Sequence, residues 1–164
     1  MMTLNSISVD KKRFMERAIA LSLNAIQSGI GGPFGAVVVK DGKIVAEGFN
    51  QVTSTNDPTA HAEVVAIRAA CQKLSTFQLS DCDVHTSCEP CPMCLAAIYW
   101  ARPRAVYFAN TKDDAAKIGF DDSFIYTEIQ KEKNARQIPM MQILRDEAQV
   151  AFQAWQNKSD KICY

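Results

Sequence analysis

No charge of either sign is in excess, no apolar run approaches the length of a membrane span, and no stretch is repetitive, linker-like or low in complexity. Each absence removes a class of protein. Lys+Arg and Asp+Glu number 18 each, whereas a protein built to grip a long nucleic acid backbone carries a basic excess. The balance favours a small substrate over nucleic acid. The longest apolar run, Leu95 to Ala101, falls well short of the roughly 20 residues a bilayer requires. Met1 to Asp10 lacks the charged-then-apolar order of a secretory leader, so the chain is expected to be cytoplasmic and free of membranes. Six cysteines in that compartment read as metal ligands or small buried apolar side chains rather than disulfides. A chain of 164 residues buries roughly 70% of its unfolded surface, enough for one ordinary core. The expectation is a single domain over residues 1–164.

Periodicity gives the order of elements. Phe14, Ala18, Leu21, Ala25 and Ile26 fall at helical spacing between Val9 and Ser28, and Gly29 to Gly32 end the pattern. Two apolar, β-branched runs, Gly35 to Lys40 and Lys43 to Glu47, flank Asp41-Gly42, a dipeptide preferred in two-residue hairpin turns. A polar stretch from Asn50 to Thr59 precedes a helix predicted from about Ala60 to Leu74. Then come a short strand at Asp83 to Thr86, a helix at Pro92 to Trp100 opened by its proline, and a strand at Ala105 to Ala109. A helical stretch after Thr111 through Ile118, an acidic-aromatic segment Gly119 to Tyr126, a strand at Pro139 to Leu144 and a helix around Asp146 to Asn157 complete the reading. Strands separated by helices on this rhythm imply a layered α/β domain.

Two clusters carry chemistry: His61-Ala62-Glu63 and Pro90-Cys91-Pro92-Met93-Cys94. One histidine and two cysteines can hold a zinc ion with its fourth position open, and a nearby glutamate can move protons there. With His61 and Glu63 placed in the first turn of one helix, and Cys91 and Cys94 one turn apart at the start of another, the positive ends of both helices favour thiolates. Other assignments compete. Cys91-x-x-Cys94 alone also suits a redox pair. Cys88, Cys91 and Cys94 match the start of an iron–sulfur run, but Ile98 stands where its fourth cysteine belongs. A structural zinc site would take Cys88 as a fourth ligand and leave Glu63 without a task.

His-x-Glu followed by Pro-Cys-x-x-Cys resembles the signature of zinc-dependent nucleoside and nucleobase deaminases. Further segments extend the likeness: Gly31-Gly32-Pro33-Phe34-Gly35-Ala36, Asn56 to Glu63, Thr86 to Cys94, Tyr99-Trp100-Ala101-Arg102-Pro103 and Gly119 to Tyr126. Together they resemble bacterial guanine deaminases. That resemblance implies a three-layer cytidine-deaminase-like fold, a central mixed five-stranded sheet flanked by helices. It also implies one Zn2+ per subunit on His61, Cys91 and Cys94, with Glu63 as the catalytic proton carrier and no ligand role for Cys88. The implied reaction is hydrolytic deamination of guanine to xanthine and ammonia, in purine catabolism or salvage. Substrate contacts fall by the same likeness on Asn50, Asp122, Ala62 and Tyr164, with Phe34 and Trp100 walling the ring. An acid between Phe120 and Phe124 is costly to bury without a partner, which also supports Asp122; its neighbour Asp121 is less favoured. The last residue, Tyr164, is expected to close the site of a partner subunit in a homodimer that exchanges a segment of about residues 145–164, with Val150, Ala151, Phe152, Ala154 and Trp155 as the exchanged contact.

Rival functions stay in view. A tRNA adenosine deaminase shares the zinc motif but needs a basic surface for its stem-loop, where this chain has Asp113, Asp114, Asp121, Asp122 and Glu128. Guanosine, cytosine or a triazine is a subtler alternative substrate. A non-catalytic zinc-stapled binding module has no use for Glu63.

Overall fold

A computed structural model of the chain describes residues 9–164, so most of the segment expected to carry no leader, Met1 to Asp10, lies outside the described residues. The chain divides after Asp122 into two compact units.

The first unit is built on β1 (Gly35–Lys40), β2 (Lys43–Phe49), β3 (Cys82–Cys88) and β4 (Ala105–Asn110). They lie in the order β2-β1-β3-β4. β1 pairs antiparallel with β2 and β3, and β3 pairs parallel with β4. Asp41 and Gly42 both have positive φ, 49° and 71°, which makes the β1–β2 connection the turn whose twist matches its strands.

β1 explains the layering. Ala36 and Val38 join one apolar cluster with Ala62, Ala66, Ile67 and Ala70 of α3 (Ala62–Leu74). Val37 and Val39, pointing the other way, join a second cluster with Phe14 and Leu21 of α1 (Val9–Gln27). A strand covered on both faces needs apolar residues at every position, which is why this run does not alternate. α4 (Pro92–Ala101) adds Ile98 and Ala101 to the α3 side. Within α1, Phe14, Ala18, Leu21 and Ala25 are buried as spaced, but Ile26 is half exposed. The short helices α2 (Val52–Thr55) and α5 (Lys112–Lys117) complete this unit. In α5, Thr111 and Asp114 close a capping box.

The second unit contains α6 (Ser123–Gln130), a 3-10 turn at Lys133–Ala135 and α7 (Arg145–Asn157). Neither α6 nor α7 buries a side chain. The fifth strand expected at Pro139 to Leu144 is absent; the sheet has four strands. Proline removes a ladder donor at the start of that run, and Leu144, at φ 51°, turns the backbone directly into α7.

Candidate active site

Two helix starts build the site. Asp57 accepts hydrogen bonds from the Thr59 backbone N–H at 2.8 Å and the Thr59 hydroxyl at 2.7 Å, a local turn that delivers the chain into α3. These bonds hold the Asp57 carboxyl below its ordinary range. His61 occupies the N-cap in extended conformation, φ −72° and ψ 154°, one position before the first turn where the spacing placed it. Glu63 remains in that turn. Gly48 lets the helix come close: a Cβ there would lie 2.3 Å from the Ala62 carbonyl oxygen. In α4 the N-cap is Cys91, Pro92 follows it, and Cys94 lies three residues on from Cys91.

The ligand atoms of His61, Cys91 and Cys94 lie within 4.8 Å of one another. His61 Nδ1 is 3.5 Å from each sulfur. Zinc–sulfur and zinc–nitrogen bonds at a tetrahedral angle separate their donors by about 3.6 Å, so the three residues fit that ion. Cys94 is fully buried. Hydrogen bonding from the Cys94 thiol and from His61 holds Cys91 down to about 4. Cys94 is pushed up by the same sulfur contact and by burial, and His61 is raised chiefly by its bond to Cys91. The cluster thus sets a thiol whose ionised form is favoured beside an imidazole whose protonated form is favoured.

Glu63 is 5% exposed. Its Oε1 accepts from the Thr86 hydroxyl at 3.1 Å and its Oε2 from the Cys94 thiol at 3.4 Å. Burial raises its pKa above the ordinary carboxylate value, as suits a group that must both take and give a proton. Cys88, at the end of β3, stands apart from the cluster: its thiol donates to the Thr111 carbonyl at 3.6 Å, and burial pushes it up to about 11. Neither a redox role nor a fourth-ligand role fits that thiol. The other histidine, His85, stacks on Tyr107 at 4.7 Å and meets Phe14 edge-on at 5.4 Å, on the α1 face of the sheet.

The candidate substrate residues are distributed unevenly. Asn50 is buried, and its Oδ1 accepts from the backbone N–H groups of Gly32 at 3.2 Å and Val52 at 3.3 Å. Its acceptor is spent on the chain. Phe34 meets Phe120 edge to face at 4.9 Å and 90°. Asp122 is half-buried, and its carboxyl is raised by burial first and by the negative charge of Cys91 second. Ala62 has its methyl wholly in the core, so only its backbone N–H, one of the first-turn donors without a partner inside the helix, can serve a ligand. Trp100 lies two turns beyond Cys94 in α4 and is 63% exposed; its own helix carries it away from the thiols. Tyr164 belongs to the second unit and is exposed.

A cavity of about 300 Å³ opens between Phe34 and Cys88 on one side and Asn110, Asp114 and Ile118 on the other. None of the three cluster residues lines it. Spacing did not single out Thr86 or Phe120. Thr86 had a readable signal, a hydroxyl in the buried file Val84, Thr86, Cys88 of β3, because buried polar groups are almost always paired.

Residues 8–110 match the family described as the cytidine and deoxycytidylate deaminase zinc-binding region. The guanine deaminase of Bacillus subtilis is 58% identical over 156 residues, covering 95% of this chain and all of that one. A crystal structure of the Bacillus subtilis guanine deaminase superposes with a TM-score of 0.91, covering 93% of this chain and 98% of that chain. The tRNA-specific adenosine deaminase of Aquifex aeolicus is 38% identical over 99 residues, covering 60% of this chain and 65% of its own length. With the His61, Cys91 and Cys94 donors at zinc spacing and more than half of its length matched, the chain belongs to the zinc-dependent cytidine and deoxycytidylate deaminase family.

Proposed function

We propose that this protein hydrolyses guanine to xanthine and ammonia, with one zinc ion per subunit held by His61, Cys91 and Cys94. The observation that carries this reading is the 58% identity to a guanine deaminase across 95% of the chain. It runs well past residue 110, where the zinc-binding region ends, whereas the tRNA-specific adenosine deaminase matches only 60%. The function therefore follows the whole chain rather than the metal motif alone.

Zinc, when bound, acidifies water so that a hydroxide nucleophile exists near neutral pH. The remaining work belongs to the chain. Glu63 Oε2, the oxygen nearer the cluster, takes one proton of the water that attacks carbon 2 and hands it to the unprotonated ring nitrogen beside that carbon, then takes the remaining hydroxyl proton of the adduct and delivers it to the departing amine, which leaves as ammonia. Asn50 Nδ2 donates to an acceptor on the purine edge. Guanine presents an amine and an adjacent ring N–H, both donors, where adenine and cytosine present an unprotonated nitrogen beside the amine. A carboxylate such as Asp122 selects for that pair of donors. Phe34, oriented by Phe120, packs against the ring, and the Ala62 N–H contributes a donor.

Residues 1–164 act as one deaminase domain in a cytoplasmic homodimer. Its subunits exchange the segment from about residue 145, bringing Tyr164 to the partner's site. The exposed Phe152 and Trp155 of α7 support this, because apolar surface left open within one chain is suited to an interface. Among the described residues no helix is long and apolar enough to cross a membrane.

Ammonia release from guanine, guanosine, cytosine, cytidine and a tRNA anticodon stem-loop tests the substrate. Guanine is expected to be turned over fastest; turnover of another substrate with none of guanine would refute the assignment.

A further inference from the structure

Glu63 carries a long side chain whose last torsion is broad and roughly two-fold, so burial alone does not fix which oxygen faces the ligand cluster. Its two oxygens meet different partners. Oε1 accepts from Thr86 Oγ1 at 3.1 Å, and Oε2 lies against Cys94 Sγ at 3.4 Å. Thr86 is itself held from three directions. It is 1% exposed, its branched side chain is stiff at χ1, and its strand is paired on both sides, with Ala36 of β1 and Phe108 of β4 opposite it. The hydroxyl therefore presents its proton from a fixed point of the sheet, while the carboxylate it meets belongs to a different layer.

We propose that Thr86 is a positioning residue for the deamination: its hydroxyl pins Oε1 of Glu63 to β3 so that Oε2 is held toward the His61, Cys91 and Cys94 cluster. The proposal rests on Glu63 being the proton carrier. Thr86 does not touch the substrate, and its contribution is orientation. A threonine in an otherwise apolar strand file has no packing advantage over valine, since the two have nearly the same shape; the hydroxyl is what distinguishes them. The inference extends the site from the helix starts to the interior strand behind them.

Three measurements on Thr86→Val and Thr86→Ser test this. In Thr86→Val, kcat for guanine should fall about 10²-fold with KM within about twofold, the pattern of a group misplaced in the transition state rather than of lost substrate binding. Zinc content should stay at the wild-type level. Thr86→Ser, which restores the hydroxyl, should recover most of that kcat. In a crystal structure of Thr86→Val, the Glu63 carboxylate should turn away from Cys94. An unchanged kcat in Thr86→Val, equal losses in both variants, or an unmoved carboxylate overturns the proposal. Should Thr86→Val not fold, Thr86→Ala carries the same three readouts. If the wild-type protein leaves guanine untouched, the substrate assignment falls by itself, and the carboxylate position in the variant still decides the role of Thr86.

Discussion

In the unit that ends at Asp122, Ala36, Val37, Val38 and Val84 are wholly buried between helices, whereas in the unit that begins at Ser123, Ile138, Phe152 and Tyr164 are 79%, 72% and 70% exposed. The first unit has a buried core of its own and also holds the metal cluster and Glu63, although Tyr99 and Trp100 of α4 stay exposed. The second has an amphipathic helix, α7, with no buried residue of its own. Most of a helix's stability in a protein comes from packing its apolar face, and within its own unit α7 has no such packing. The contrast separates a unit with a core and a cluster of ligands from one whose helices bury no side chain.

The largest expected effect lies in the first unit. Glu63→Gln should keep zinc by metal analysis yet lose about 10²- to 10⁴-fold in kcat, the usual worth of a general acid-base group; an active variant would remove Glu63 from the chemistry. A second substitution asks whether the other unit is an assembly device. Trp155→Glu on α7 should weaken self-association about 10- to 30-fold by analytical ultracentrifugation, with an undisturbed fold in the first unit; a dimer of unchanged strength would end the exchange proposal. Deleting Tyr164 is milder. Guanine turnover should fall several-fold while the melting temperature stays put, and unaltered kinetics would show that the terminus does not reach a site.

The smallest effect concerns acid stability of the first unit. His85 is 1% exposed, its Nδ1 has no hydrogen-bond partner, and burial lowers its pKa. Asp83 opposes that shift, and Lys11 adds to it. A histidine depressed in the fold contributes stability above its unfolded pKa of about 6.5 that is lost as pH falls through the folded value. Urea titrations between pH 7 and pH 5 should therefore show a shallower loss for His85→Gln than for the wild type. Equal slopes would mean that the buried ring does not resist protonation.

Most of the first unit was legible because its signals are local. The Asp41-Gly42 turn, the apolar β1 run and the proline opening α4 each specify one structure by themselves. The fifth strand was expected where none forms, because a strand exists only where an edge accepts it, and the run at Pro139 to Leu144 carries no local sign of whether an edge does. Within the site, residue type and spacing gave the cluster. His61 was displaced by one position because a cap and a first turn share the same spacing. Asn50 carries both a donor and an acceptor by residue type, and only the fold reveals that its oxygen is spent on Gly32 and Val52. Thr86 pairs with Glu63 across 23 positions, and separation of that size leaves no periodic trace.

Both ligand-bearing helices begin on a residue that makes no side-chain cap, His61 for α3 and Cys91 for α4. These are the places where serine, threonine or aspartate would strengthen a helix by about 0.5–2 kcal/mol. The protein has left that stability unclaimed at two sites a few ångströms apart, so selection for robustness and selection for metal affinity pull in opposite directions there. A stabilising redesign guided by helix rules, such as His61→Ser, would yield a better-terminated helix and a protein short of one of its three metal donors.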